Sequence, residues 1–185
     1  MQIDDFDYEL PEERIAQTPI EPRDRARLLV DRGSRPIEHR HVVDLVDYLH
    51  PGDLLVVNDS KVIPARLHLE RASGGAVEVL LLEPDDSRRR RWEAMVRPAR
   101  KMKIGEELLD RQGAAILRVG ARTESGDTFW VEVLGEDDPL ATLMRLGEMP
   151  LPPYITAPLT DPNRYQTVYA AAPGSAAAPT AGLHL

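Results

Sequence analysis

The sequence contains no cysteine, which excludes a disulfide framework, a thiolate nucleophile and any zinc site built on sulfur. It also lacks an apolar run near the ~18 residues that a membrane-spanning helix needs. Its opening, MQIDDFDYEL, is acidic where a secretory signal is basic and then apolar. These absences point to a cytoplasmic protein. There is no GxGxxG loop, no phosphate-binding glycine loop ending in Lys-Ser or Lys-Thr, no His-Glu-x-x-His and no Gly-x-Ser-x-Gly elbow. Readings as a dinucleotide-binding dehydrogenase, a P-loop hydrolase, a zincin or an α/β-hydrolase lose their footing with them. The histidines, His39, His41, His50, His68 and His184, show no metal-ligand spacing.

What is present suits a globular protein. The 185 residues are 42% hydrophobic and 29% charged, too apolar for a disordered chain and enough for one domain or two small ones. A formal net charge of -8 opposes non-specific affinity for a phosphate backbone, although local basic clusters can override the mean. Arg88 to Arg91 follow Pro84-Asp85-Asp86-Ser87 and read as a solvated turn. Arg97, Arg100, Lys101 and Lys103 form a second basic group with no such acidic lead.

The hydrophobic period changes twice along the chain. Leu10-Pro11-Glu12-Glu13 suits a short helix over Glu12 to Ala16, and Leu28-Leu29-Val30 a strand closed by a turn. Val42, Leu45, Val46 and Leu49 have helical spacing and predict a helix with one core face, stopped at Pro51-Gly52. Leu54-Leu55-Val56-Val57 lacks alternation and predicts a strand covered on both faces, with polar residues at its end where α/β sheets place ligands. From Ala65 the period becomes two: Ala65, Leu67 and Leu69, then Val77, Val79 and Leu81 across Ser73-Gly74-Gly75, predict a hairpin. Further strands are predicted at 92–96, 115–119 and 129–133, with glycine turns between them. Asp138-Pro139 caps a helix with Leu140, Leu143 and Met144 on its apolar face, and Gly147 stops it. The proline-rich 149–155 is extended, and the Ala, Gly and Pro of 170–185 predict no packed element. The expected fold is therefore an α/β domain with an inserted antiparallel β-barrel: 1–61 as the first part, 62–136 as the barrel, and 137–185 as a second, incomplete part. Leu183-His184-Leu185 reads as the start of a further element.

Two clusters carry candidate chemistry. Asn58, Asp59, Ser60 and Lys61 offer amide, carboxylate, hydroxyl and ammonium groups at a strand end, with Arg66 and Arg97 on strands nearby; an Asx turn accounts for the same residues without function. Tyr154, Arg164, Tyr165, Gln166, Thr167 and Tyr169 can stack on a base and bind phosphate or carboxylate, while Tyr165 and Tyr169, four apart, equally suit one helical face. His184 is of the residue type most often used for acid or base work.

Taken together, Asp5-Phe6-Asp7-Tyr8-Glu9-Leu10-Pro11, Ile15-Ala16-Gln17, Arg23-Asp24, the block from Pro51 through Asn58-Asp59-Ser60-Lys61 to Arg66-Leu67, and Trp92 to Pro98 resemble the S-adenosylmethionine:tRNA ribosyltransferase-isomerases. So do Pro150 to Ile155, Arg164-Tyr165-Gln166-Thr167-Val168-Tyr169-Ala170 and Ala178-Pro179-Thr180-Ala181-Gly182-Leu183-His184. The resemblance implies an α/β domain with an inserted barrel, in enzymes nearly twice as long as this chain. It implies transfer and isomerisation of the ribosyl part of S-adenosylmethionine, a substrate, onto the aminomethyl-deazaguanine base at the wobble position of tRNA. Epoxyqueuosine, adenine and methionine would be the products, with no metal. It implies Asp59 and His184 for proton transfer. Asn58, Lys61, Arg66, Arg97, Tyr154, Arg164, Tyr165, Gln166 and Thr180 would serve substrate binding, Arg66 and Arg164 for anionic groups and Tyr165 and Gln166 for a base. The family commonly has threonine and arginine at Ser60 and Lys61, arginine near Ala157, valine at Ala176 and phenylalanine at Leu185. A monomer is expected for the full-length family and self-association for a shortened chain. The alternatives are an inactive fragment of that enzyme or an RNA-binding module using Arg97, Arg100, Lys101 and Lys103.

Overall fold

A computed structural model describes residues 2–185. Near the start, Arg27–Val30 (β1) and Glu38–His41 (β2) pair antiparallel, with Leu28 opposite Arg40. Ser60–Val62 (β3) follows, then the strands of the barrel: Arg66–Arg71 (β4), Ala76–Pro84 (β5), Arg91–Arg97 (β6), Glu107–Leu109 (β7), Ala115–Arg122 (β8) and Phe129–Val133 (β9). Pro139–Leu146 (α1) is the α-helix among the described residues, and Ala172–Ser175 (β10) returns to pair in parallel with β3.

The barrel closes in the order β4-β5-β6-β9-β8-β7, with β7 back against β4. Its period-two sequence explains its interior. Leu67, Val79, Leu81, Trp92, Ala94, Leu108 and Leu117 retain 0% exposure, and burying each large apolar side chain contributes about 1.5–3 kcal/mol. Irregular register at Leu81/Pro84, Leu108/Leu109 and Val119/Arg122 supplies the local bending that closure requires. At the last of these β8 and β9 approach so closely that a Cβ on Gly120 would lie 2.8 Å from the Trp130 carbonyl oxygen. Closure leaves no free strand edge on the barrel.

The barrel is set between two segments that pair with each other, since β3 precedes it and β10 follows it. It is an insertion in that sense. Helix α1 begins as its sequence predicts, with the Asp138 carboxylate accepting from the Leu140 amide and proline in the first turn. Leu143 is fully buried against the barrel core, whereas Met144, expected on the same face, is 70% exposed. Gly147 ends the helix in an extended conformation and not a left-handed one.

Outside the barrel four expectations fail. Residues 54–57 form no strand; Leu54 is 87% and Val56 82% exposed. A strand needs hydrogen-bonding neighbours and cover on its apolar faces, and among the described residues nothing provides either. Val42–Tyr48 is a 3-10 helix with no buried residue, so the expected core face is absent, and Val46 is 73% exposed. The alanine- and proline-rich tail, expected to form no packed element, supplies β10 and a 3-10 turn, Thr180–His184. Its order comes from tertiary contact: Ala171 and Ala172 donate to the Asp59 carbonyl, and Ile63 donates to the Ser175 carbonyl. The segment Glu12–Arg14 is likewise a single 3-10 turn, shorter than the predicted helix. No described helix is long and apolar enough to cross a membrane.

Candidate functional site

Where β3 hands over to the barrel, the chain lines a cleft of ≈ 830 Å³. One wall runs from Lys61 through Pro64 to Arg66, a second comprises Leu140, Met144, Gly147 and Glu148, and loops carrying Leu151, Ile155, Ala157, Asn163 and Gln166 close the rest. A backbone bridge fixes two walls together: the Arg66 amide donates to the Glu148 carbonyl at 3.2 Å and the Glu148 amide to the Arg66 carbonyl at 2.8 Å. Gly147 makes this approach possible, because a Cβ there would lie 1.9 Å from the Pro64 carbonyl oxygen.

Arg66 lines the cleft with part of its hydrogen-bonding capacity unused. Its Nε is buried without a hydrogen-bond partner, with the Glu78 carboxylate 3.6 Å away and one terminal nitrogen 3.5 Å from the Leu151 carbonyl. Those separations are too long for strong hydrogen bonds. A guanidinium held half-buried with spare donors favours an incoming anion. Lys61 is exposed on the same cleft and has no ion-pair partner among the described residues.

Gln166 also faces the cleft, and its side-chain amide is spoken for. Nε2 donates to the Val62 carbonyl at 2.8 Å and Oε1 accepts from the Val62 amide at 2.9 Å, so the side chain behaves as one more strand beside β3. Beside it Tyr165 is 7% exposed. Burial pushes its phenol above the usual value, partly offset by the Ala178 backbone, with Tyr154 adding to the rise and Arg66 opposing it. The phenol is therefore neutral at physiological pH and remains a donor.

Other candidates lie apart from the cleft. Asn58 accepts from the Ser60 amide at 2.9 Å in an Asx turn. Asp59 and His184 are exposed, and among the described residues neither side chain has a hydrogen-bond partner or is linked to the other by an ion pair. Arg164 pairs with Glu21 at 2.9 Å and donates to the Ile20 carbonyl at 3.0 Å. Tyr154 is 53% exposed, Thr180 is exposed at the start of its turn, and Arg97 stands on the outer barrel face.

Gln17 and Arg23, which shape the site, entered the sequence reading only within family-like blocks and with no role, and Thr167 only as one of a hydrogen-bonding group. Gln17 donates to the Tyr154 carbonyl at 2.9 Å and accepts from the amides of Thr156 at 2.8 Å and Ala157 at 3.3 Å. Arg23 donates to the carbonyls of Gln166 and Asn163. Together with Arg164 they pin the N-terminal segment to the loops that close the cleft. Thr167 is 5% exposed with its hydroxyl unpartnered, and a Cβ at Gly182 would lie 2.9 Å from its methyl group, which seats the Thr180–His184 turn against the 167–169 loop. The sequence signal for Gln17 and Arg23 is their place in the family-like blocks Ile15-Ala16-Gln17 and Arg23-Asp24.

The closed barrel is inserted between two paired strands, and an arginine-bearing cleft lies at the joint. The chain belongs to the family described as Queuosine biosynthesis protein, which matches residues 3–185. It is 54% identical over 186 residues to the S-adenosylmethionine:tRNA ribosyltransferase-isomerase of Moorella thermoacetica, covering 100% of this chain and 54% of that protein. The enzyme of the same name from Gloeobacter violaceus is 50% identical over 181 residues, covering 98% of this chain and 50% of that one. A solved S-adenosylmethionine tRNA ribosyltransferase from Thermotoga maritima is 41% identical, over 77% of this chain and 48% of that chain, with a TM-score of 0.36. The chain spans about half the length of the curated relatives it matches.

Proposed function

We propose that residues 1–185 form the N-terminal part of an S-adenosylmethionine:tRNA ribosyltransferase-isomerase of the cytoplasm. Its reaction would move and isomerise the ribosyl group of S-adenosylmethionine onto the 7-aminomethyl-7-deazaguanine base of tRNA, giving epoxyqueuosine, adenine and methionine. The observation that carries this reading is Arg66, a half-buried guanidinium on the cleft wall whose hydrogen bonding is incomplete, its buried Nε meeting only the Glu78 carboxylate at 3.6 Å. It suits the carboxylate of the methionine portion, and Lys61 on the same wall adds a second positive charge.

The sulfonium of the substrate acidifies the protons on the adjacent carbon and stabilises the ylid left by their removal, so the base needs placement more than strength. Asp59, just before β3, and His184 are assigned to proton transfer because both keep free side chains. Loss of adenine, attack by the aminomethyl nitrogen on the opened sugar fragment and departure of methionine as the epoxide closes complete the sequence. Gln166 would hold the cleft wall through Val62, and Tyr165, buried beside it, would support that wall from within. The division into 1–61 and 137–185 as two parts of an α/β domain belongs to the same proposal. The exposed run Leu54–Val57 and the greater length of the relatives support its completion by polypeptide outside these residues.

Adenine release from S-adenosylmethionine, in the presence of tRNA carrying the aminomethyl-deazaguanine base, tests the reading with a full-length family enzyme as control. Release by this chain that Arg66→Ala abolishes, at unchanged melting temperature, is the expected result. Wild-type turnover by Arg66→Ala removes Arg66 from the site, and no release beside an active control assigns the chain to an incomplete enzyme.

A further inference from the structure

The two basic groups of the sequence have opposite fates in the fold. The first is consumed by the protein itself: Arg89 donates to the Pro173 carbonyl, Arg90 to the carbonyls of Gly135 and Asp137, and Arg91 pairs with Asp85 and lies over the Trp130 ring. The second is left free. Arg97, Arg100, Lys101 and Lys103 are all exposed, and among the described residues none has an ion pair. Lys103 lies near Glu106, but both carboxylate oxygens of Glu106 are bonded to Arg71. In a chain with 31 acidic and 23 basic side chains, four unneutralised cations within seven residues stand out against the mean charge.

Strand register connects this group to the cleft. His68 is opposite Glu78 and Glu78 opposite Arg97, so these three share an outward-facing row, one step from the row of Arg66, Leu80 and Met95. Two strand spacings put Arg97 about 10 Å from β4 along that row. Glu78, the acid between them, is turned to Arg66. The turn that presents Arg100 and Lys101 is tied down by Arg122, which reaches the Ala99 carbonyl and lies over Phe129.

We propose that the outer face of β4, β5 and β6 carries the phosphate backbone of the RNA substrate, with Arg97, Arg100 and Lys101 leading it to the cleft at Arg66. This rests on the tRNA-modifying reading above. Exposed, unpaired cations on a fixed surface are suited to displacing condensed counterions, a sequence-independent contribution that salt weakens.

The test is fluorescence anisotropy of a transcribed tRNA anticodon stem-loop with the full chain, between about 50 and 300 mM salt. The triple variant Arg97→Ala, Arg100→Ala, Lys101→Ala is compared with Arg14→Ala, Arg35→Ala, Arg111→Ala, an equal loss of charge at exposed positions. The first triple should weaken binding on the order of 10- to 100-fold and flatten the log Kd against log salt slope by about 2 to 3 units, with the control near wild type and both far-UV spectra unchanged. Equal effects in both triples, or no binding by the wild-type chain, overturns the proposal. Adenine release is read separately: a chain that binds through this face but releases no adenine refutes the catalytic reading alone, and one that releases adenine with an unaltered slope in the first triple refutes the RNA track alone.

Discussion

Replacing Gly147 by alanine opposes two effects of different sign. The Gly147 backbone, at φ -88 and ψ 162, is one that alanine adopts freely. Backbone entropy alone therefore predicts that Gly147→Ala stabilises by about 0.4–1 kcal/mol. The packing predicts the reverse, because the new Cβ would lie 1.9 Å from the Pro64 oxygen and 2.8 Å from the Leu143 oxygen, the first roughly 1.5 Å short of ordinary contact. Both obstacles are backbone atoms, so no side-chain rotation relieves them. Overpacking of this kind costs about 1–3 kcal/mol, and displacing Pro64 strains the two Arg66–Glu148 hydrogen bonds, each contributing about 0.5–1.5 kcal/mol. The net expectation is a loss of about 2–4 kcal/mol, or roughly 5–15 °C in melting temperature for a chain of this size. Thermal unfolding followed by circular dichroism measures it, with Gly33→Ala as a reference in open space at positive φ. A Gly147→Ala protein that melts at or above the wild-type temperature refutes the close approach of α1 to Pro64, and with it the geometry of the cleft wall.

Three shorter predictions follow from other contacts. Gln166→Ala should cost about 1–3 kcal/mol by leaving the Val62 amide and carbonyl without their partner, and should speed hydrogen exchange at Val62 in particular; unchanged exchange there contradicts the clasp. Arg71 hydrogen-bonds Glu106 and holds its carboxyl below the usual range, against the opposing effect of burial. A depressed folded pKa gives stability that is present above the unfolded value of about 4.3 and lost as pH falls through the folded one. The gap in melting temperature between wild type and Glu106→Gln should thus be steady at neutral pH and shrink in acid; a gap that widens in acid has the wrong sign. Leu54→Ser with Val56→Ser should change the stability of this chain by no more than about 0.5 kcal/mol, as exposed positions do, whereas a loss of several kcal/mol would show these residues to be core.

The barrel was legible because its determinants are local. Alternation at Leu67 and Leu69, again at Val77, Val79 and Leu81, with glycine between them, specifies a buried face whatever lies beyond. The segments around it follow a different logic. Leu54 to Val57 read as a buried strand since four apolar residues in succession have no better local account, yet burial is a property of partners, and none exists among the described residues. Ala172–Ser175 fails in the opposite direction: Ala-Pro-Gly-Ser has little preference for a strand, and its ladder is imposed by the Asp59 carbonyl and by β3.

The same distinction separates the chemistry that could be read from the chemistry that could not. Lys61 was identifiable as a polar group at a strand end, Arg66 as one on a strand nearby and Gln166 as one of a dense hydrogen-bonding group, and all three line one cleft. Which of them remains available to a ligand depends on bonds made across more than a hundred residues. Gln166 is committed to Val62, and Arg164 to Ile20 and Glu21, while Arg66 keeps a buried Nε with nothing to bond. An unpartnered buried donor costs free energy in the empty protein, about 1–3 kcal/mol for an ordinary group and more for a charged one. A carboxylate that enters the cleft would meet the terminal nitrogens of the guanidinium, one of which has only the Leu151 carbonyl at 3.5 Å, while Nε stays turned to Glu78. Arg66→Lys would keep the charge yet lose the planar fork, so weaker substrate binding by Arg66→Lys than by wild type, at equal stability, separates a directed contact from simple charge attraction; equal binding by the two would leave only the charge.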